Sequence, residues 1–408
     1  MEKSIRASYI LIGYEVKRDK YINIVDGIIE SISDDPKFRD QSLDAQGETI
    51  IYPGCINTHA HSFQSLLRGY TNDCNLEEFL KIVYTELEEY NENDIYRGAK
   101  MAFDEMLGNG ITTVCDFFYI NGKGNRYAEA VVRAAEDAGI RLNLIRCLID
   151  NPEKSKTVCE DLDVYVDRFN ELHEKYLNLP LIKITPCAHS VYYNTIDGIR
   201  TIMDMAKKYL CRWQIHFSDS KGTRDYCQKH FKKSNAEYMA DNGLLDERLV
   251  AVHGIWCNDK DISIMAEHGV SLSHNPQSNQ FLGERAALIP EMLQHGMKIG
   301  LGTDGAASNP SLSIFEEMKA ALLMQKSRLL DPASIKAEQG FRMGTEWGGI
   351  LAGFQTGKLE PGYAADFILC DATHPTLGPN IAHALSYFTY SLSPRAIKQV
   401  YVHGNRII

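Results

Sequence analysis

The sequence predicts a (β/α)8 barrel of the TIM type with a small β-domain built from the two chain ends. Three observations carry this prediction. From Ile51 onward, eight short β-rich runs alternate with longer segments of helical periodicity; the two ends hold short alternating strands instead; and six of the thirteen histidines sit where the β-rich runs finish. The expected organisation is a composite β-domain from residues 1–50 plus 355–408, flanking a catalytic barrel over residues 51–354.

The strand candidates are IYPGCINTHAH (51–61), ITTVCDFF (111–118), IRLNLIRCL (140–148), LIKITPCAH (181–189), CRWQIHFSD (211–219), LVAVHG (249–254), GVSLSHNP (269–276) and MKIGLGTDG (297–305). Between them lie helical patterns such as Tyr96 to Leu107 and Tyr127 to Ala138, the latter followed by Gly139 in the place of a helix C-cap. The end segments VDGIIESIS, GYAADFILCD and AIKQVYVHGNRII alternate apolar with polar residues and are broken by Asp-Gly, Gly or Pro. That pattern fits paired strands and conflicts with flexible tails.

A chain of 408 residues with 44% hydrophobic and 24% charged content can bury a large core. Its net charge of −11 has no compensating basic stretch, since the run from Lys229 to Lys233 is interrupted by aromatic and apolar residues. Nucleic acid is therefore disfavoured as a partner, and a small molecule is expected. There is no apolar run of about 18 residues, and MEKSIRASYILIGYEV alternates like a strand rather than a signal peptide. No membrane association and a cytoplasmic location are expected. The ten cysteines stand singly with no CxxC pair, which argues against zinc knuckles and a disulfide framework and for small buried hydrophobes.

His59, His61, His189, His216, His253 and His274 end predicted strands, and Asp304 in LGTDG ends the eighth. In a barrel of this kind, that is the catalytic face. The two imidazoles of Thr-His-Ala-His point to one side because strand side chains alternate with a period of two. A metal that activates water needs three or four protein ligands, an open position and groups that move protons. His216 and Asp304 are the natural third and fourth ligands. His253 then remains to stabilise charge and handle protons, and Asp219 is the general acid/base. Asp219 has a second reading, as N-cap of a helix beginning near Lys221.

The motifs PGCINTHAH, HSFQSLLRG, DEMLGNGITTVCDF, IHFSD, HNPQSN, GLGTDGAASNPSLSIFEEMK and LEPGYAADFILCD together resemble the deaminase and chlorohydrolase branch of the amidohydrolase superfamily. That branch includes S-adenosylhomocysteine/methylthioadenosine deaminases, s-triazine hydrolases, guanine deaminase and cytosine deaminase. The resemblance implies one divalent metal per chain, zinc in the first place with iron or manganese as alternatives, on His59, His61, His216 and Asp304. It implies catalytic roles for His253 and Asp219, with Asp304 also taking the proton of the attacking water. Gln64, Arg68, His189 and His274 would face the substrate. The implied reaction is deamination of an aminated purine, pterin, pyrimidine or triazine-like ring with release of ammonia. Its alternative is hydrolysis of another C–N or C–Cl bond on such a ring. A homo-oligomer, dimer or tetramer, is expected.

Two positions depart from the family pattern. Most deaminases of this branch carry glutamate where Asp219 stands, so the carboxylate is shorter in reach by about 1.5 Å; an altered substrate pose is the favoured reading. In adenosine-derivative deaminases a glutamate after the first strand binds the ribose hydroxyls. Here YTELEEYNEND places Leu87 at that position and offers Glu86 and Glu88 on either side, with Glu86 as the substrate-binding candidate.

Overall fold

The computed structural model describes residues 2–45, 47–121, 124–152 and 158–408. Eight parallel strands form the central ring: β1 (Cys55–Ala60), β2 (Ile111–Phe118), β3 (Arg141–Leu148), β4 (Ile182–Ala188), β5 (Trp213–Phe217), β6 (Leu249–His253), β7 (Ser271–His274) and β8 (Ile299–Leu301). Each pairs with its neighbour in sequence. Helices such as Glu92–Gly108, Arg126–Ala138, Leu162–Tyr176 and Ile196–Lys208 return the chain between strands. Every residue of β1, β2 and β3 is buried, as expected of strands covered on both faces. Gly139 ends its helix at φ 77°, its N–H donating to the Ala135 carbonyl at 2.9 Å.

The ring closes between β8 and β1 through an isolated parallel bridge, Ala60 to Asp304, with the Asp304 N–H donating to the His59 carbonyl at 3.0 Å. Gly302 makes that approach feasible. A Cβ there would lie 2.2 Å from Asn275 Oδ1 and 2.8 Å from the His59 carbonyl oxygen.

The single strand expected over 51–61 is two strands in different sheets. Thr49–Pro53 pairs with Glu2–Ile12 and Phe367–Asp371, whereas Cys55–Ala60 opens the barrel. Gly54 is the junction, where a Cβ would meet Thr112 Oγ1 at 2.2 Å. The second sheet also contains Glu15–Val25, Ile28–Ser33, Ser42–Asp44, Ile397–Val402 and Asn405–Arg406, so the chain ends do share one sheet. Ile5, Ile10, Ile22, Ile24, Phe367 and Tyr401 build its own core. A buried bidentate pair ties this sheet to the barrel, Arg141 Nε and Nη2 donating to Asp366 at 2.8 and 3.0 Å. All ten cysteines are free thiols and most are buried. Among the described residues no helix is long and apolar enough to cross a membrane.

Candidate active site at the C-terminal mouth of the barrel

Five strand-end side chains meet at the carboxyl end of the ring. His59 and His61 leave β1, His216 comes from β5, His253 ends β6, and Asp304 follows β8. Asp304 Oδ1 lies 3.3 Å from His61 Nε2 and 3.7 Å from His59 Nε2. Donor atoms of His59, His61 and Asp304 all fall within 4.8 Å of one another, as do those of His59, His216 and His253.

The Nδ1 atoms of these imidazoles are all engaged. His59 Nδ1 meets Gln214 Oε1 at 3.1 Å, His61 Nδ1 the Phe117 carbonyl at 2.7 Å, His216 Nδ1 the His189 carbonyl at 3.1 Å, and His253 Nδ1 Asn279 Oδ1 at 2.9 Å. For His59, His61 and His216 such contacts fix the tautomer and aim the Nε2 lone pairs at the centre, as outer partners of metal ligands do, whereas His253 Nδ1 also lies 3.2 Å from Asn275 Nδ2. His59 Nε2 is buried with no hydrogen-bond partner among the described residues. A buried polar atom in that state calls for a ligand. Burial also pushes His59, His61 and His216 below the ordinary histidine value, favouring their neutral form, while the Asp304 carboxylate opposes that shift for His59 and His61. Three imidazoles and a carboxylate therefore fit a divalent metal.

Asp304 is held from behind, Ser278 Oγ donating to Oδ2 at 2.6 Å and Ser308 Oγ at 3.3 Å. Burial alone would favour its neutral form. The facing His61, His253 and His59 outweigh that and hold the carboxyl well below its usual range. His253 and Asp304 both adopt left-handed backbone, φ 75° and 61°, conformations that non-glycine residues keep where the surroundings impose them.

These groups open into a cavity of about 610 Å³. Asp219 lines it beside Tyr192, Tyr193 and Tyr119. The capping role open to Asp219 belongs to Ser220, whose Oγ accepts from the Thr223 N–H at 3.0 Å. Asp219 Oδ1 is left buried without a hydrogen-bond partner among the described residues. His189 and Gln64 also form the wall, with Gln64 Nε2 donating to the Tyr119 hydroxyl at 3.4 Å. Burial, then His61, brings His189 down to about 3.

Three expected substrate contacts lie elsewhere. Arg68 follows the 3-10 turn Ser62–Leu67 outward and pairs with Glu105. His274 is fully buried outside the cavity wall, both ring nitrogens without partners. Glu86 sits late in the helix Leu76–Glu89, whose first turn supplies Leu76, Glu77, Phe79 and Leu80 to the mouth. Nine residues of helix carry Glu86 about 14 Å beyond Glu77. Glu77 and Glu284 are the glutamates that line the cavity.

The sequence reading missed several supporting groups. Gln214 shares the inward face of β5 with His216, two residues on, and the strand period could have shown it. Asp116 accepts both the Ser62 N–H and Oγ at 2.7 Å, holding the turn after His61; burial raises it to about 7. Glu317, buried and pushed well up by burial, accepts from the Gln277 N–H at 3.2 Å and Asn309 Nδ2 at 2.6 Å. It joins the loops that carry Ser278 and Asp304.

The sequence model of the Amidohydrolase family matches residues 50–407. A 5′-deoxyadenosine deaminase of Methanopyrus kandleri is 30% identical over 400 residues, covering 97% of this chain and 89% of the relative. A 5-methylthioadenosine/S-adenosylhomocysteine deaminase of Acetivibrio thermocellus is 32% identical over 396 residues, 96% of this chain and 88% of the relative. Among solved structures, an adenosine deaminase from Xanthomonas campestris with bound zinc superposes with a TM-score of 0.89 at 24% identity, covering 99% of this chain and 92% of the other.

Proposed function

The chain belongs to the amidohydrolase family and is a metal-dependent hydrolase acting on C–N bonds; from that premise we propose that it deaminates an adenosine derivative through a zinc site. The observation that carries this reading is the unpartnered Asp219 carboxylate oxygen, in the wall of the same cavity as Asp304 and the histidines. The two deaminase relatives, each matched over nearly the whole chain, support the adenosine skeleton.

In this reading His59, His61, His216 and Asp304 hold the metal. When bound, it lowers the pKa of a water and polarises the centre under attack. The chain's own groups do the rest. Asp219 delivers a proton to the ring nitrogen beside the amine-bearing carbon, making that carbon electrophilic. Asp304, steadied by Ser278, takes the proton of the attacking water. His253, fixed by Asn279, opposes the charge that develops on oxygen. Asp304 hands the proton it took from water to the amine, which leaves as ammonia, and the remaining proton of the attacking oxygen returns to Asp219.

Gln64 and His189 face the ring from the cavity wall, and Glu77 at the mouth offers an acceptor to sugar hydroxyls. The acidic composition and isolated cysteines support a cytoplasmic enzyme.

The test is ammonia release from adenosine, 5′-deoxyadenosine, 5′-methylthioadenosine, guanine, pterins and chlorinated triazines. Ammonia from the adenosine compounds, with close to one equivalent of zinc per chain, is the expected result. Product formed without ammonia would overturn the deaminase reading in favour of another C–N or C–Cl hydrolysis. A protein with no metal affinity would overturn the site assignment.

A further inference from the structure

A second cavity, about 550 Å³, opens at the other end of the barrel, framed by the first residues of β3 and β4, the segments leading into β5 and β6, and residues 352–354. Its volume lies within the range of small-molecule sites. Lys183, Arg212 and Arg248 line it, against one carboxylate, Glu247. In a chain of net charge −11, three cations facing one acid are a local excess of positive charge.

The protein leaves that charge incompletely matched. Lys183 Nζ donates to the Gly353 carbonyl, and Arg212 Nη1 to the Glu247 carbonyl at 3.0 Å, both neutral acceptors. Arg248 Nη1 meets the Glu247 carboxylate at 2.9 Å, but that side chain is 71% exposed, and Arg248 Nε is buried without an acceptor among the described residues. Burial and then Arg141 pull Lys183 below its ordinary value; burial and then Arg248 do the same to Arg212, with Glu247 and Asp246 opposing the shift only in part. A buried cation beside a like charge gains from an added anion, and Arg212 beside Arg248 is in that state.

The rim has a different character. Leu177, Leu179 and Leu210, which are 63%, 37% and 82% exposed, stand around the same opening, with Tyr176 and Tyr209 in the wall. Apolar surface around a concave polar site marks a place where a ligand is covered.

We propose that this cavity binds a small organic phosphate, its oxyanion held by Lys183, Arg212 and Arg248 and its ring or apolar part lying against the leucine rim. The site stands at the opposite end of the ring from the metal cluster and uses none of its residues.

Calorimetric titration with phenyl phosphate, inorganic phosphate and neutral benzyl alcohol tests it on the wild-type chain and on the Asp219→Asn variant. Phenyl phosphate should bind saturably and equally to both proteins, inorganic phosphate more weakly, and benzyl alcohol not measurably. Lys183→Gln and Arg248→Gln should each weaken phenyl phosphate by about tenfold or more. Arg248→Lys, which keeps the charge, should retain part of the affinity and so separates loss of the anion site from loss of folding. Absence of saturation at millimolar phenyl phosphate would overturn the proposal. So would unchanged affinity in both glutamine variants, or loss of binding in Asp219→Asn.

Discussion

Asp219 Oδ1 is a buried acceptor with nothing to accept from, a condition that costs about 1–3 kcal/mol and persists where a ligand supplies the partner. Ser220 already caps the helix that follows, so capping does not account for the Asp219 carboxylate. Asp219→Asn keeps the size and removes the exchangeable proton. Turnover should fall by about 10² to 10⁴-fold, the usual contribution of a positioned acid or base, while zinc content stays near one equivalent. Activity close to that of the wild type would remove Asp219 from the chemistry. His59→Ala acts on the other half of the site. It deletes the imidazole shared by both ligand groups, so metal content measured by atomic emission and turnover should disappear together.

At the scale of elements, the terminal sheet and the barrel are joined by the buried pair of Arg141 and Asp366, whose carboxylate also accepts from Thr356 Oγ1 at 2.7 Å and the His403 N–H at 2.6 Å. Burial opposes the Asp366 charge, but Arg141 and these donors outweigh it and depress the carboxyl below its ordinary value. A carboxyl depressed in the fold stabilises above its unfolded pKa of about 3.9, and that stability is lost as pH falls through the folded value. Asp366→Asn should therefore cost about 3–5 kcal/mol at neutral pH, and the difference from wild type in chemical denaturation should shrink below about pH 4. A gap independent of pH would show that Asp366 is not charged in the fold. The sequence displayed most elements plainly, because buried parallel strands read as apolar runs with chemistry at their ends, and ITTVCDFF matches β2 to the residue. It hid the break at Gly54, since two consecutive strands in different sheets share one apolar run. That His59, His61, His216, His253 and Asp304 converge at one end of the ring was legible from position alone. Arg68 and Glu86 were misplaced because the long segment after β1 has no strand period to fix its direction; only the fold shows the first turn of Leu76–Glu89, with Glu77, turned to the mouth.

For the molecule as a whole, the closure of the barrel and the histidine–aspartate cluster occupy the same few residues. β8 is three residues long, and its link to β1 runs through the Ala60–Asp304 bridge and the hydrogen bond from Asp304 to His59. Asp304 and His59 thus serve both as the seam of the ring and as the centre of the donor set. A metal held by His59, His61, His216 and Asp304 would clamp β1, β5 and the end of β8 together, and a ligand that binds the folded chain alone stabilises it by mass action. At a thousandfold excess over Kd that stabilisation is about 4 kcal/mol, enough to move the melting midpoint of a large domain by several degrees. Removing the metal with a chelator should lower the midpoint by that amount in scanning fluorimetry, and added zinc should restore it. His59→Ala should melt lower from the start and show no response to chelator. Equal midpoints for the chelated and zinc-loaded wild-type protein would mean that the seam holds without the metal, and that the strained backbone at Asp304 is maintained by Ser278 and Ser308 alone.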